Sequence, residues 1–150
     1  MTLLASDDFA DALIRKKYEE IGCVASFGML RQGSWRDLHG RLSEWIIPAI
    51  ELRQIKIFFD VAGHPIGFFT WAFLAEDVAS EIKCGRMLSH LSEWNEGDEL
   101  WIIDLFLIGK GIREVHDFIE RRFSANHSEF SWLTRRGHVR RKSIGKAPGT

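Results

Sequence analysis

Only two cysteines, Cys23 and Cys84, occur in the 150 residues. They have neither metal-ligand spacing nor a partner pattern, which argues against a disulfide scaffold or a zinc module; two free thiols in a reducing compartment are expected. No apolar run approaches the roughly 20 residues that a membrane span requires. The opening stretch, MTLLASDDFADALIRKKYEE, turns acidic and helical without the apolar centre of a signal peptide. Repeats and low-complexity linkers are lacking. No serine or cysteine stands in a nucleophile-elbow context, which disfavours a covalent intermediate on the protein. The histidines form no ligand set with Cys, Asp or Glu, so no metal is expected. A cytoplasmic protein without a permanently bound cofactor is therefore expected.

What is present is apolar bulk. Hydrophobic residues make up 45% of the chain, with six Trp and eleven Phe, enough for one compact domain over residues 1–150 with a real core. The net charge of −1 conceals an asymmetry. From Ser131 onward stand six cations (Arg135, Arg136, Arg140, Arg141, Lys142 and Lys146) and no acid, leaving 14 basic against 21 acidic groups in the first 130 residues. A basic tail from about residue 131 on an acidic body suits a polyanionic partner, or is simply a solvated segment.

The order of elements gives an α/β (α+β) fold. Residues 7–20, with Phe9, Leu13 and Ile14 spaced for one face, predict an amphipathic helix ended by Gly22. CVASFGML then reads as a short strand or buried turn. Apolar residues at Trp35, Leu38, Leu42 and Trp45 predict a second helix, ended by Pro48. In QIKIFFDVAGHPIGFFTWAFL two β-rich runs flank a Gly- and Pro-containing turn, the pattern of an antiparallel hairpin with Gly67 at a bulge. AEDVASEIKCG is a short helix closing at Gly85, and RMLSHLSEWNEGDE a loop. Trp94 and Trp132 read as exposed aromatics that would pack across a homodimer. The run Trp101–Ile108 predicts a strand covered on both faces, followed by the turn IGKG and the helix IREVHDFIERRF. SEFSWLTRRGHVRRKS predicts a last strand running into the basic tail.

Asp104 is the misfit, a carboxylate within an almost wholly apolar strand. Its burial is costly unless something pairs with it. It reads either as a working carboxylate or as a structural one accepting backbone N–H groups or pairing with an arginine. The strand–GKG–helix order after it aims free N–H groups from a positively polarised helix end, a natural place for a phosphate. Gly109, Lys110 and Gly111 are the candidate phosphate-binding turn. Acyltransferases of the N-acetyltransferase superfamily place such a turn after their central strand, usually with Gln or Arg where this chain has Phe106. That resemblance implies a single domain with a central mixed sheet flanked by helices.

A more specific likeness covers roughly residues 45–125. WIIPAI, HPIGFFTWAFLAEDVASEI and EWNEGDELWIIDLFLIG, with Pro65, Ile66, Thr70, Trp71, Ala72, Gly97, Asp98, Trp101, Ile103 and Asp104 in order, resemble the bacterial RTX toxin-activating lysine acyltransferases. The resemblance implies transfer of a fatty acyl group from acyl carrier protein, or from acyl-CoA, to the ε-amine of a lysine in a protein toxin or peptide precursor. It places Asp104 at the catalytic aspartate. It places the catalytic histidine in a stretch matched here by QGSWRDLHGRLSEWIIPAI, where His39 is the candidate base and a less gapped alignment falls on Ser34 or Trp35. The basic residues Arg135, Arg136, Arg140, Arg141 and Lys142 then fit an acidic carrier protein better than nucleic acid, since no reading helix or zinc module is visible. His64, His90, His116 and His127 read as turn, loop or helix-flank residues. A non-catalytic module that binds carrier protein or peptide, and an acetyl-CoA-dependent acetyltransferase, remain as alternatives.

Overall fold

The computed structural model describes residues 12–30, 42–134 and 136–145. Helix α1 spans Ala12–Leu30, a π-helical turn spans Leu42–Ile46, and α2 follows at Ile47–Glu51. Next come β1 (Ile55–Phe59), β2 (Pro65–Leu74), α3 (Glu76–Lys83) and a 3-10 turn at Leu91–Trp94. The chain continues through β3 (Glu99–Leu107), α4 (Ile112–Phe123), β4 (Glu129–Leu133) and β5 (Val139–Ser143). Among the described residues these form four α-helices and one five-stranded mixed sheet in the order β1-β2-β3-β4-β5, an α/β fold.

Two readings of the first half need correction. Helix α1 does not end at Gly22, and CVASFGML is helical rather than a strand or turn. A mid-helix glycine costs about 1 kcal/mol relative to alanine. Beyond it Val24 and Phe27, one turn apart, are both buried in the core, and each contributes roughly 1.5–3 kcal/mol. Burial wins. Nor does Pro48 end a helix: it sits in the first turn of α2, where its missing N–H leaves no helical bond unmade. Of the helix expected over 35–45, residues 35–41 lie outside the described residues, and the rest begins the π-helical turn.

The hairpin forms as expected, β1 against β2. The Asp60 carboxylate accepts the N–H groups of Ala62 and His64, each at 2.9 Å, and shapes the turn. The register shifts so that Phe58 faces Gly67 and Phe59 faces Pro65, with Ile66 the extra residue. A Cβ on Gly67 would lie 2.5 Å from the Phe106 carbonyl oxygen of β3, so glycine is required by the close approach of that strand. Helix α3 ends before Gly85 (φ +92°), also as expected.

Strand β3 runs antiparallel to β2 and parallel to β4, with α4 as the crossover. The segment expected to be one last strand is two: β4 and β5 form an antiparallel hairpin through the turn at 134–138. The basic tail is therefore largely the outer strand of a sheet. Val139 at its start packs against one apolar cluster and Ile144 just after it is buried in the other, contacts that a solvated tail lacks.

Apolar clusters cover both sheet faces. On one, α1, α2 and α3 set Phe27, Ile50 and Val78 against Phe68, Ala72 and Trp101. On the other, α4 sets Val115, Ile119 and Phe123 against Phe69, Trp71 and Ile102. Trp94 is 1% exposed and belongs to the first cluster, and Trp132 is half-buried against the second, so neither is the exposed aromatic expected of a dimer contact.

Candidate active site

The central feature is a bulge in β3. In the β2–β3 ladder Trp71 faces Ile102, but the next pair is Thr70 with Asp104. Ile103 is the extra residue, and the alternation of side chains is reset there. Ile102 points to the α4 side, where it packs with Val115 and Ile119. Regular alternation would send Asp104 the same way. The bulge instead puts Asp104 on the face it shares with Thr70, Phe68 and Phe106, beneath the C-terminal half of α1.

This face has an aromatic floor. The Phe27 ring lies 5.1 Å from Phe106 and 5.8 Å from Phe68, centroid to centroid. Thr70, 1% exposed, accepts the Asp104 N–H on its Oγ1 at 3.0 Å. The Asp104 carboxylate accepts the Leu105 N–H through Oδ1 at 2.9 Å. Strand β3 is covered on both faces only in its first half. Asp104 is half-buried and Leu105 is 38% exposed, so the carboxylate is set among apolar groups but within reach of solvent.

The opening beside Asp104 follows from pairing. Among the described residues β3 and β4 are joined at Trp101–Ser131 and Ile102–Trp132, and β3 runs on for five residues beyond that ladder. At its end, Gly109 (φ +77°) and Gly111 (φ +142°) turn the chain into α4. No side chain caps α4, and its first turn presents the N–H groups of Ile112, Arg113 and Glu114 without helical acceptors. Lys110 is exposed at the same turn.

Because β3 and β4 are parallel, the β4–β5 turn lies at the same end of the sheet as the glycine turn and Asp104. Arg136 in that turn and Arg140 at the start of β5 are exposed there; Arg135 lies outside the described residues. The remaining cations of β5 divide between the two faces. Arg141 pairs with Glu129 at 3.9 Å, and Lys142 with Glu120 at 3.4 Å and with His116 Nδ1 at 3.2 Å. Burial, then the adjacent Lys142 ammonium, holds the His116 imidazole below its ordinary pKa.

His39 lies outside the described residues, which begin again at Leu42. The described histidines have local settings. His64 pairs with Asp60 at 3.3 Å in the hairpin turn, His90 precedes the 3-10 turn, and His127 stacks on Phe73. Among the described residues no His, Cys, Asp and Glu cluster could hold a metal ion. Cys23 and Cys84 are free thiols.

Much of the matched motif is packing. Trp71 and Trp101 are buried core residues, and a Cβ on Gly97 would collide with the Leu74 carbonyl and the Ala75 nitrogen. The sequence reading gave Thr70 no role of its own. Its signal was a hydroxyl within an otherwise apolar strand, in step with a carboxylate on the neighbouring one.

A family described as the RTX toxin acyltransferase family matches residues 27–145. The lysine-acyltransferase RtxC of Vibrio cholerae is 32% identical over 102 residues, covering 64% of this chain and 67% of that protein. The leukotoxin-activating lysine-acyltransferase LktC of Mannheimia haemolytica is 34% identical over 89 residues, 52% of each chain. The RTX-II toxin-activating lysine-acyltransferase ApxIIC of Actinobacillus pleuropneumoniae is 42% identical over 60 residues, 39% of this chain and 36% of that protein.

Proposed function

Because this chain belongs to the RTX toxin acyltransferase family, we propose that it is a lysine N-acyltransferase. It moves a fatty acyl group from the phosphopantetheine thioester of acyl carrier protein to the ε-amine of a lysine in a protein toxin or peptide precursor. The observation that carries this reading is the bulge at Ile103, which brings Asp104 onto the aromatic face at the open end of β3.

The chemistry needs a base. Near pH 7 only about one lysine in 2,500 carries the neutral, nucleophilic amine, a deficit of roughly 4.6 kcal/mol. His39 takes the proton as the amine attacks the thioester carbonyl carbon, and Asp104 holds the imidazole tautomer and steadies the imidazolium. The C–N bond of the amide forms, the C–S bond breaks, and the pantetheine sulfur leaves as a thiol after taking a proton. The first-turn N–H groups of α4, with Gly109 and Gly111 keeping side chains away, receive the phosphate of the pantetheine arm. Lys110, Arg136 and Arg140 meet the acidic surface of the carrier protein.

Incubation with acyl carrier proteins charged with different chain lengths and with a candidate acceptor tests this. The expected product is an acceptor heavier by one acyl chain, mapped to a lysine by mass spectrometry. Failure to transfer any acyl length, with carrier-protein binding intact, would leave a non-catalytic binding module and overturn the proposal.

A further inference from the structure

The outer edge of the sheet at β1 opens onto a groove of about 1070 Å³. One wall is α1 with Lys16, Lys17 and Cys23, and the other carries Trp71 and Arg122. Ile55, Ile57 and Phe59 of β1 line it. The Trp71 N–H donates to the Gln54 carbonyl and the Asp60 N–H to the His64 carbonyl, so the even-numbered residues of this strand face β2. Backbone groups alternate along an antiparallel strand, so the N–H and C=O of Ile55, Ile57 and Phe59 point away from β2 into the groove. Such a row is a template for one more strand.

The lining of the groove is net positive. Five cations (Lys16, Lys17, Arg53, Lys56 and Arg122) line it against Glu19 and Glu20. Lys16 and Lys17 are engaged by Glu20 and Glu51. Arg53, Lys56 and Arg122 form no ion pair with another described residue; Lys56 lies over the Phe118 ring at 5.3 Å and Arg122 over Trp71 at 4.9 Å. An extended segment entering here meets apolar strand contacts and a lining of net positive charge.

We propose that the edge of β1 receives an extended acidic segment of the acceptor protein as a sixth strand, an inference that rests on the acyltransferase reading above. The sheet order supports the acceptor rather than the donor. Strands β1 and β5 are opposite edges, and the glycine turn and Arg140 lie toward the β5 side. Donor and acceptor thus approach from opposite margins. Asp104 is two strands from β1 and so three from a strand added at its edge, about 14 Å at the usual strand spacing, a distance that about five extended residues span.

Fluorescence anisotropy with a labelled ten-residue peptide of alternating glutamate and valine tests the surface, with a lysine–valine peptide as the charge-reversed control. The acidic peptide is expected to bind and the basic one not. Phe59→Pro, which removes an N–H pointing into the groove, and Lys56→Glu are each expected to weaken binding at least tenfold with circular dichroism unchanged. In transfer assays both variants raise KM for the acceptor protein and leave kcat unaltered. Equal binding of the two peptides overturns the proposal, as does full binding by Lys56→Glu. So does light scattering that shows a dimer dissolved by these substitutions, because a second copy then occupies the edge. Peptide binding is read without turnover. Its absence overturns the docking surface, whereas loss of transfer with binding intact overturns the catalytic reading on which it rests.

Discussion

The Oγ1 of Thr70 accepts the backbone N–H of Asp104 at 3.0 Å, across the pair that immediately follows the bulge in β3. A side chain replaces a ladder partner where the strand has slipped by one residue. Thr70 is thereby a positioning residue for the carboxylate. The isosteric Thr70→Val keeps the volume and loses the bond, worth about 1 kcal/mol. It is expected to lower kcat about fivefold with KM for acceptor unchanged, while Thr70→Ser retains activity. Equal kinetics for Val and Ser would remove Thr70 from the site.

Asp104→Asn tests the carboxylate itself. The amide keeps the shape and cannot stabilise a neighbouring imidazolium. Transfer is expected to fall by about 10²–10⁴-fold, the range of general acid–base catalysis, and carrier-protein binding to persist. His39→Ala should fall by a similar factor, and the double variant by little more than either alone, because the two residues act as one unit. Additive losses, measured as kcat/KM for the single and double variants, would show that they do not.

Gly97→Ala separates packing from chemistry within the shared motif. The added methyl meets the Leu74 carbonyl and the Ala75 nitrogen, both backbone atoms that cannot rotate aside. Overpacking of this kind costs about 1–3 kcal/mol or more, so a Tm fall of several degrees is expected. Ala at Gly22, which has open space around it, should leave Tm level or higher. Calorimetry of the two variants distinguishes them.

The contact between α4 and β5 is expected to respond to pH. His116 faces Lys142 of β5, Phe130 and Trp132 of β4, and Glu120 and Asp117 of its own helix. Burial, then Lys142, depresses its pKa below the ordinary 6.5. The fold therefore favours the neutral ring, and protons bind more readily to the unfolded chain. Its contribution is complete above about pH 6.5 and is lost as pH falls through the depressed folded value. Thermal melts between pH 7.5 and 5 should show a fall in Tm that is shallower in His116→Gln.

Elements that announce themselves by local rules were legible from sequence. The β1–β2 hairpin, α3 ending before Gly85 and the strand–glycine turn–α4 unit each carry their signals within a dozen neighbouring residues. Asp104 was conspicuous for the same reason, as a charge inside an apolar run. The course of α1 through Gly22 and the position of Pro48 inside α2 were not legible, because propensity and periodicity speak only for the isolated segment. Burial of Val24 and Phe27 against Phe68 decided the first, and a π-helical turn that feeds α2 decided the second.

The sequence by itself determined which residues are apolar, where the chain must turn, and that a carboxylate interrupts the apolar run of the central strand. Which way that carboxylate points was decided only by the tertiary structure. A strand's side chains alternate, so the face of Asp104 depends on a single-residue shift in pairing with β2. That shift is held by Thr70, 34 positions away in the chain, and only a folded sheet brings the two together.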